Sequence, residues 1–406
     1  MRKEIGTKLD NGTLISGNAK VVRNINRAVI LNLIREKQPI SRIKISKLSG
    51  LNKSTVSSIV AVLLDDGLIY QETHVNQLMG RNPINLCLKL GTRFVGAVNI
   101  DSPTTKIAIV ELNGSIKEST ILETESANPE LFVSRCVEKL FFLRDKMQIR
   151  HLEGIGLSVA GIADPTTARV LYAPRLGWEN FELGKAVKAL CPDEGTINID
   201  NDARASALAE LWYGNHKLDL TNFVFLSVGP GIGTGIVMNK NLIYGSSYAA
   251  GEFGHMTLFE GGELCTCGSH GCWEAYASDR ATVRRYLAKR QQDQAVFNDA
   301  ILQEIIDEAK ADDAIARDIL LQTGYYLGMG IASIIKVLDP EAVIIGGHIT
   351  NAWPIIYPEI MQALSRRAFS GKKINIFPTS LPSDSTLIGA ATFAIREFFN
   401  DFKITR

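Results

Sequence analysis

The sequence predicts an α/β body behind a small, basic N-terminal domain, and three observations predict it. Residues 1–90 show helix-period segments followed by two strand-like runs. Beyond about residue 91, strand-like runs come first in series and then alternate with helices, the pattern of an α/β fold. Charge divides at the same place: residues 1–90 carry 14 Lys and Arg against 6 Asp and Glu, and the remainder 30 against 37. A basic domain on an acidic body points to nucleic acid as the partner of the basic part.

A chain of 406 residues, 46% hydrophobic and 21% charged, is long enough for two or three compact units. Its apolar runs fall short of the roughly 18 residues that span a bilayer. Met1 to Lys8 is charged and lacks the apolar core of a signal peptide. The expectation is a cytoplasmic protein without a membrane segment.

Residues 1–20 read as a loose polar arm. From Asn24 the period becomes helical, with Ala28, Ile30, Leu31 and Ile34 in one stripe. After Pro39, Ser41 is placed to cap a second helix with Ile43, Ile45 and Leu48 inward, ending at Ser49 and Gly50. A third helix runs from about Asn52 to Asp66, with Val56, Ile59, Val60, Leu63 and Leu64 on its apolar face, and Gly67 stops it. Two strands, Leu68–Thr73 and Ile84–Leu88, flank a polar segment holding Gly80, Arg81, Asn82 and Pro83. Three short helices and a hairpin make a winged helix-turn-helix over 1–90.

In that motif the second helix of the pair enters the major groove, and its first residues meet base edges. Here those are Asn52, Lys53, Ser54, Thr55, Ser57 and Ser58, short polar side chains opposite Val56 and Ile59. Arg42, Lys44 and Lys47 on the preceding helix are placed for phosphates, and Arg81 at the wing tip for an adjacent minor groove. The expected partner is operator DNA.

In the body, Phe94–Ile100, Lys106–Leu112 and Ile116–Ile121 read as consecutive strands, with Asn113-Gly114 as a hairpin turn. A helix is expected over about Pro129 to Met147, then strands at Gly154–Val159 and Thr196–Ile199 and a helix from about Ala203 to Tyr213. Asn222–Val228 and Gly235–Met238 flank a glycine-rich turn, residues 275–330 are mostly helical, and Ala342–Ile345 ends in Gly346-Gly347. The strand-rich stretches near 94 and 222 suggest two related lobes.

Of six cysteines, Cys87, Cys136 and Cys191 are scattered and read as small buried side chains, whereas Cys265, Cys267 and Cys272 cluster among glycines. Clustered cysteines in a large chain of this kind point to metal. His255, in Gly251-Glu252-Phe253-Gly254-His255, would complete a Cys₃His set, the donor pattern of a closed structural Zn2+ site. His270 is a rival fourth ligand.

The run Gly251-Glu252-Phe253-Gly254-His255, followed by Cys265-x-Cys267-Gly268-x-x-Gly271-Cys272-x-Glu274, resembles the signature of the ROK family of repressors and sugar kinases. The resemblance covers nearly the whole chain, including the winged helix that the repressor branch carries. It implies two actin-like lobes of the sugar-kinase type, here 91–200 with a C-terminal helix over 385–406, and 201–384 with the metal loop. It implies a sugar site in which Asn201 and Asp202 match the family's sugar-binding pair and Glu252, His255 and Glu274 its other hydroxyl-binding residues. Gly161 matches a turn approaching the sugar, with Ala160 where the family usually has proline. Carboxylates and amides at fixed positions suit a ring of hydroxyls. His255 would hold zinc through one ring nitrogen and the ligand through the other.

A kinase needs two phosphate-binding turns whose backbone N–H groups cradle phosphate. The second survives in Gly229-Pro230-Gly231-Ile232-Gly233-Thr234-Gly235, but Pro230 removes a donor. The first is replaced by Val98-Asn99-Ile100-Asp101-Ser102-Pro103-Thr104, where Asp101 would repel phosphate. Phosphoryl transfer depends on positioning and charge neutralisation. The expectation is a sensor with no catalytic residue, in which Asp202, matching the family's general base, serves as a hydrogen-bond acceptor. A homodimer or homotetramer would release DNA on binding a small sugar inducer, with xylose the first candidate. The alternatives are a DNA-binding ATP-dependent sugar kinase and a repressor gated by a protein partner.

Overall fold

The computed structural model describes residues 19–73, 84–216, 218–292, 297–366, 374–381 and 384–400. They divide into two units, one running to Arg93 and including Ile395 onward, the other spanning Phe94–Ala394.

In the smaller unit, α1 (Ala19–Lys37) buries Ala28, Ile30, Leu31 and Ile34, the expected stripe. β1 (Ile40–Ser41) leads to α2 (Arg42–Ser49), capped by the Ser41 hydroxyl accepting from the Lys44 N–H at 3.3 Å. Gly50 closes α2 at φ 70°, a left-handed conformation that costs glycine little. α3 (Lys53–Asp65) buries Val56, Ile59, Val60 and Leu63. β2 (Ile69–Thr73) pairs antiparallel with β3 (Ile84–Leu88), and β1 adds to the other side of β3, a strand the sequence reading lacks.

One expectation fails in α2. Ile43 and Leu48 are 59% and 53% exposed, and Ile45 carries the burial. Residues two apart on a helix lie about 200° apart, so Ile43 and Ile45 cannot face one core. The segment holding Arg81 lies outside the described residues.

The larger unit contains the same sheet twice. Its first lobe has β4 (Phe94–Ile100), β5 (Thr104–Glu111) and β6 (Ile116–Glu123) as an antiparallel meander. Gly114 makes the turn between the last two, at φ 82°. α4 (Pro129–Lys146) returns the chain to β7 (Gly154–Val159), parallel to β4. A small separate sheet follows, of β8 (Ile162–Asp164), β9 (Arg169–Ala173) and β10 (Trp178–Phe181). α5 (Leu183–Leu190) then leads to β11 (Thr196–Asn201), parallel to β7. The main sheet runs β11-β7-β4-β5-β6.

The second lobe opens with α6 (Asp202–Tyr213), then β12 (Phe223–Val228), β13 (Ile232–Met238) and β14 (Asn241–Leu242) as a second meander. Helices α7 (Glu274–Ala277), α8 (Asp279–Lys289), α9 (Asp299–Lys310) and α10 (Ala314–Leu338) precede β15 (Ala342–Gly346). α11 (Trp353–Ser365), β16 (Asn375–Pro378) and α12 (Ser385–Asn400) complete the chain. The order β14-β13-β12-β15-β16, with β15 parallel to β12 and β16 parallel to β15, repeats the topology of the first lobe.

Each lobe buries its own core, around Phe132, Leu157 and Trp178 in the first and Trp273, Leu327 and Ile345 in the second. α12 passes close to both, which is where small residues are needed. A Cβ on Gly156 of β7 would lie 1.7 Å from the Ala390 carbonyl oxygen, and one on Gly389 would lie 2.0 Å from that of Ala205 on α6.

Candidate functional site

Parallel strands direct their C-terminal ends to one edge of a sheet, where α/β proteins place ligand sites. In the first lobe Ile100, Val159 and Asn201 stand in one row across β4, β7 and β11. The residues just beyond that row include Asp101, Gly161 and Asp202.

Asn201 caps α6. Its Oδ1 accepts the N–H groups of Ala203 and Arg204 at 2.9 and 3.0 Å, and its Nδ2 donates to the Gly161 carbonyl at 3.0 Å and to Asp202 Oδ1 at 2.9 Å. The amide is therefore engaged by the protein, and it positions Asp202. Asp202 Oδ1 also accepts from the Ala203 N–H at 2.8 Å. Burial first, then the Asp101 charge, push Asp202 up to about 7. At Gly161 a Cβ would come within 2.4 Å of the Tyr172 carbonyl oxygen, so packing against β9 requires glycine there.

Asp101 lies at the first turn. Its Oδ1 accepts from the Ser102 N–H at 2.7 Å and lies 3.1 Å from Arg175 Nη1. Arg175 Nη2 donates to the Ser102 carbonyl at 2.5 Å. The sequence reading missed Arg175, a pairing 74 positions apart in the chain. The turn Pro174-Arg175-Leu176-Gly177 was its available signal, a charged side chain at the tip of a hairpin between β9 and β10.

Arg204 was also missed. It is buried in α6, four residues after Asp200 at the end of β11, with Nε 2.6 Å from Asp200 Oδ1. Nη1 donates to the Tyr248 carbonyl at 2.9 Å and Nη2 to the Ala163 carbonyl at 3.2 Å. It thus ties the segment leading to Glu252 against β8. Tyr248 reaches the same place with its hydroxyl, 3.2 Å from Thr166 Oγ1.

From the second lobe, Gly251 adopts φ 100°, and a Cβ there would meet the Thr234 carbonyl oxygen at 2.7 Å. This tight turn presents Glu252, 48% exposed, and His255, 36% exposed. His255 Nε2 lies 3.9 Å from Glu252 Oε2, and Nδ1 lies 3.7 Å from Cys265 Sγ. The Glu252 charge also acts to raise the Asp202 carboxyl.

Glu274 has a different setting. It is buried, its Oε2 accepts the Ile232 N–H at 2.9 Å, and its Oε1 accepts the Thr266 hydroxyl at 2.7 Å. It braces the glycine-rich turn against the cysteine loop.

That turn has few donors left for phosphate. The Gly229 N–H donates to the Gly231 carbonyl, the Ile232 N–H is taken by Glu274, and Pro230 has no N–H. Beside it, the Asp279 N–H donates to the Gly229 carbonyl at 2.8 Å. The Asp279 carboxyl is fully buried, with neither oxygen hydrogen-bonded among the described residues, and burial pushes it up to about 8.

The donor atoms of His255, Cys265, Cys267 and Cys272 all lie within 4.8 Å of one another, so this cluster can hold a metal ion. Cys267 Sγ and Cys272 Sγ are 3.7 Å apart. A tetrahedral ion with arms of about 2.3 Å sets neighbouring sulfurs about 3.8 Å apart, whereas a disulfide needs about 2.05 Å. His270 lies outside this group, and its backbone pairs with Leu264 in the loop. Burial pushes Cys272 up to about 12, so a bound cation would displace its proton.

In the smaller unit, Asn52 caps α3 by accepting the Thr55 N–H at 2.8 Å and the Ser54 hydroxyl at 2.7 Å. Asn52, Lys53, Ser54, Ser57 and Ser58 are exposed together and Thr55 is half-buried, leaving a polar face at the start of α3. Lys44 and Lys47 are exposed on α2, whereas Arg42 is half-buried with its Nε enclosed.

Two lobes of one repeated topology, with polar residues at the strand ends of the first and a glycine-rich turn in the second, define the actin-like class of sugar-kinase folds. The chain belongs to the ROK family, whose profile matches residues 95–397. Residues 24–77 match the MarR family, giving the N-terminal domain its winged-helix class. The chain is 28% identical over 383 residues to the xylose repressor of Bacillus subtilis (strain 168), covering 93% of this chain and 97% of that one. It is 26% identical to the transcriptional dual regulator NagC of Escherichia coli (strain K12), with 89% of each covered. Among solved structures it resembles a ROK family transcriptional regulator, a homolog of the E. coli MLC protein, with a TM-score of 0.79, 27% identity and coverage of 94% and 98%. It also resembles a ROK family glucokinase from Streptomyces griseus in complex with glucose and AMPPNP, with a TM-score of 0.66, 26% identity and coverage of 75% and 99%. No helix among the described residues is long and apolar enough to cross a membrane.

Proposed function

We propose that this chain is a sugar-responsive transcription repressor that holds operator DNA through α3 and releases it when a small carbohydrate binds between the two lobes. The observation that carries the reading is a contrast within one site. The hydroxyl-binding side has Asp202 posed by Asn201, and Glu252 with His255 posed on a tight turn. On the phosphate side the Gly229 and Ile232 N–H groups are spent within the protein, Pro230 has none, and Pro103 and Thr104 stand in the other turn where the family's kinases have glycines. A site of this kind suits binding without phosphoryl transfer. A relative named as a xylose repressor and one named as a DNA-binding transcriptional dual regulator, matched over 97% and 89% of their lengths, agree with it.

The Cys₃His set is assigned to Zn2+, which would supply a fixed structural brace. His255, Cys265, Cys267 and Cys272 would hold it, which would fix the His255 ring beside Glu252. Gly161, Asn201, Asp202, Glu252, His255 and Glu274 make up the sugar site. Asn201 and Glu274 act through the groups they position. Xylose is the first inducer to test. Arg42, Lys44, Lys47, Asn52, Lys53, Ser54, Thr55, Ser57, Ser58 and Arg81 form the DNA surface. The repressor acts as a homodimer or homotetramer, because winged helices read paired half-sites. Sugar shifts the lobes by binding one arrangement better than the other.

The test uses full-length protein with ATP, Mg2+ and a panel of pentoses, hexoses and N-acetyl sugars. A rise in melting temperature with one sugar and no ADP release is expected. Sugar-dependent ADP release well above the protein-free rate would overturn the sensor reading in favour of a DNA-binding kinase.

A further inference from the structure

We infer that Tyr248 is a positioning residue, whose hydroxyl latches the segment carrying Glu252 to the first lobe and so holds the two sides of the sugar site together. This rests on the reading of the site as a sugar site.

Tyr248 stands at φ 58°, a left-handed conformation that bulky side chains avoid because the Cβ crowds the following carbonyl. Such a residue persists where its surroundings fix it from several sides. Three contacts do so here. Arg204 Nη1 donates to the Tyr248 carbonyl at 2.9 Å, the Tyr244 ring meets the Tyr248 ring edge-on with centroids 6.3 Å apart, and the Tyr248 hydroxyl lies 3.2 Å from Thr166 Oγ1.

The direction of the last bond follows from its neighbours. Thr166 Oγ1 donates its own proton to Asp164 Oδ1 at 2.6 Å, so toward Tyr248 it accepts, and the tyrosine hydroxyl donates. Asp164 is buried, and it also accepts the Thr166 N–H at 2.8 Å and the Thr167 hydroxyl at 2.6 Å. Burial works to raise its carboxyl, but these donors outweigh it and hold it down at about 2. The relay from Tyr248 through Thr166 therefore ends on a carboxylate that is charged throughout the neutral range, and bonds in such a chain strengthen one another.

The two ends of this relay belong to different lobes. Asp164 ends β8 and Thr166 lies in the turn to β9, both in the first lobe, whereas Tyr248 follows β14 of the second. Gly251, the residue before Glu252, is anchored to the second lobe, where its carbonyl accepts the Thr234 hydroxyl of β13. The segment between Tyr248 and Gly251 has little slack, because three residues span at most about 11 Å. Drawing β13 away from β8 therefore breaks the Tyr248–Thr166 bond. With that bond made, the Glu252 charge is felt at Asp202. The latched arrangement is thus the one that offers both acids to one sugar, and loss of the latch lowers its population and the apparent affinity with it.

The experiment is isothermal titration of the full-length protein with xylose, glucose and N-acetylglucosamine as probes. For each sugar that binds, Tyr248→Phe, which keeps the ring and loses the hydroxyl, should weaken affinity by about fivefold. Thr166→Val should weaken it by a similar factor, and it carries the test alone if Tyr248→Phe fails to fold. Thr166→Ser keeps the accepting oxygen and should bind close to the unaltered protein. The double variant Tyr248→Phe, Thr166→Val should bind no more weakly than the weaker single variant, since one bond is lost only once. Single variants that bind as tightly as the unaltered protein overturn this inference and leave the sugar-sensor reading standing. A double variant whose loss is the product of the two single losses overturns the pairing of Tyr248 with Thr166. Binding of none of the three sugars to the unaltered protein counts against the sugar reading itself, and this inference falls with it.

Discussion

His255 faces two ways: Nδ1 stands 3.7 Å from the Cys265 sulfur, and Nε2 stands 3.9 Å from the nearer Glu252 oxygen. One imidazole therefore stands between the thiol cluster and Glu252, an acid of the proposed sugar site. A metal held by this cluster would fix both the ring plane and the tautomer of His255. Stripping the protein with a chelator is expected to weaken sugar binding by at least about tenfold, within the 10- to 100-fold typical of such supporting contacts. Operator affinity should stay within about twofold, because α3 belongs to the other unit. Titration calorimetry and DNA-binding anisotropy on the same stripped sample check this, and Cys272→Ser should reproduce it.

Asn201 performs two tasks through opposite ends of its amide. Oδ1 caps α6, and Nδ2 holds Gly161 and Asp202. Asn201→Ala loses both, and should cost about 1 kcal/mol of stability together with sugar binding. Asn201→Asp keeps a capping oxygen but loses the donor and adds a charge beside Asp202. It should melt closer to the unaltered protein while binding sugar no better than the alanine variant. Denaturation and calorimetry on the pair separate the two roles.

Asp279 gives a pH dependence of known sign. Burial, with the Asp299 charge behind it, raises its carboxyl from an ordinary 3.8 to about 8. Between those values the folded protein holds a proton that the unfolded chain releases. The stability contributed by this group is complete below about pH 4 and is lost as pH rises toward 8, by at most about 1.4 kcal/mol per pH unit. Asp202, raised to about 7, contributes in the same direction over a narrower window. Asp279→Asn removes the proton exchange and should flatten the slope of stability between pH 5 and 8. Urea unfolding at several pH values measures it, and an unchanged slope would show that Asp279 is not the group responsible.

Lys53 opens α3 and is exposed beside the Asn52 cap. If it meets a phosphate, Lys53→Ala should weaken binding to all duplexes alike and reduce the salt slope by about one. If it meets a base, the loss should fall on one position of the operator. Binding isotherms over a range of salt concentrations distinguish these outcomes.

Local signals carried much of this structure. Ser41, Gly50 and Asn113-Gly114 specify caps and turns through chemistry confined to a few residues, and the structure places them so. The small sheet β8-β9-β10 was not legible, because its strands are three to five residues long and lack a clear alternation. Ile43 and Leu48 were misread because apolar identity was allowed to outweigh helical angle. The grouping of Cys265, Cys267 and Cys272 could be read from spacing, which left His255 and His270 as rivals; the structure groups His255 with them. The Asp101–Arg175 pair and the three-way grip of Arg204 depend on strands brought together by the fold. The resemblance singles out Asn201 and Glu274, but the hydrogen bonds each makes could not be read from it, since those depend on which backbone groups stand within reach.

The central claim, that sugar bound at Asp202 controls DNA held at α3, is tested most directly by anisotropy of a labelled duplex selected from random sequence by the protein itself. The unaltered protein should release this duplex as the inducing sugar is added. Asp202→Ala should bind the duplex with the same affinity and hold it at every sugar concentration. Release of the duplex from Asp202→Ala at the same sugar concentration as from the unaltered protein would contradict the account.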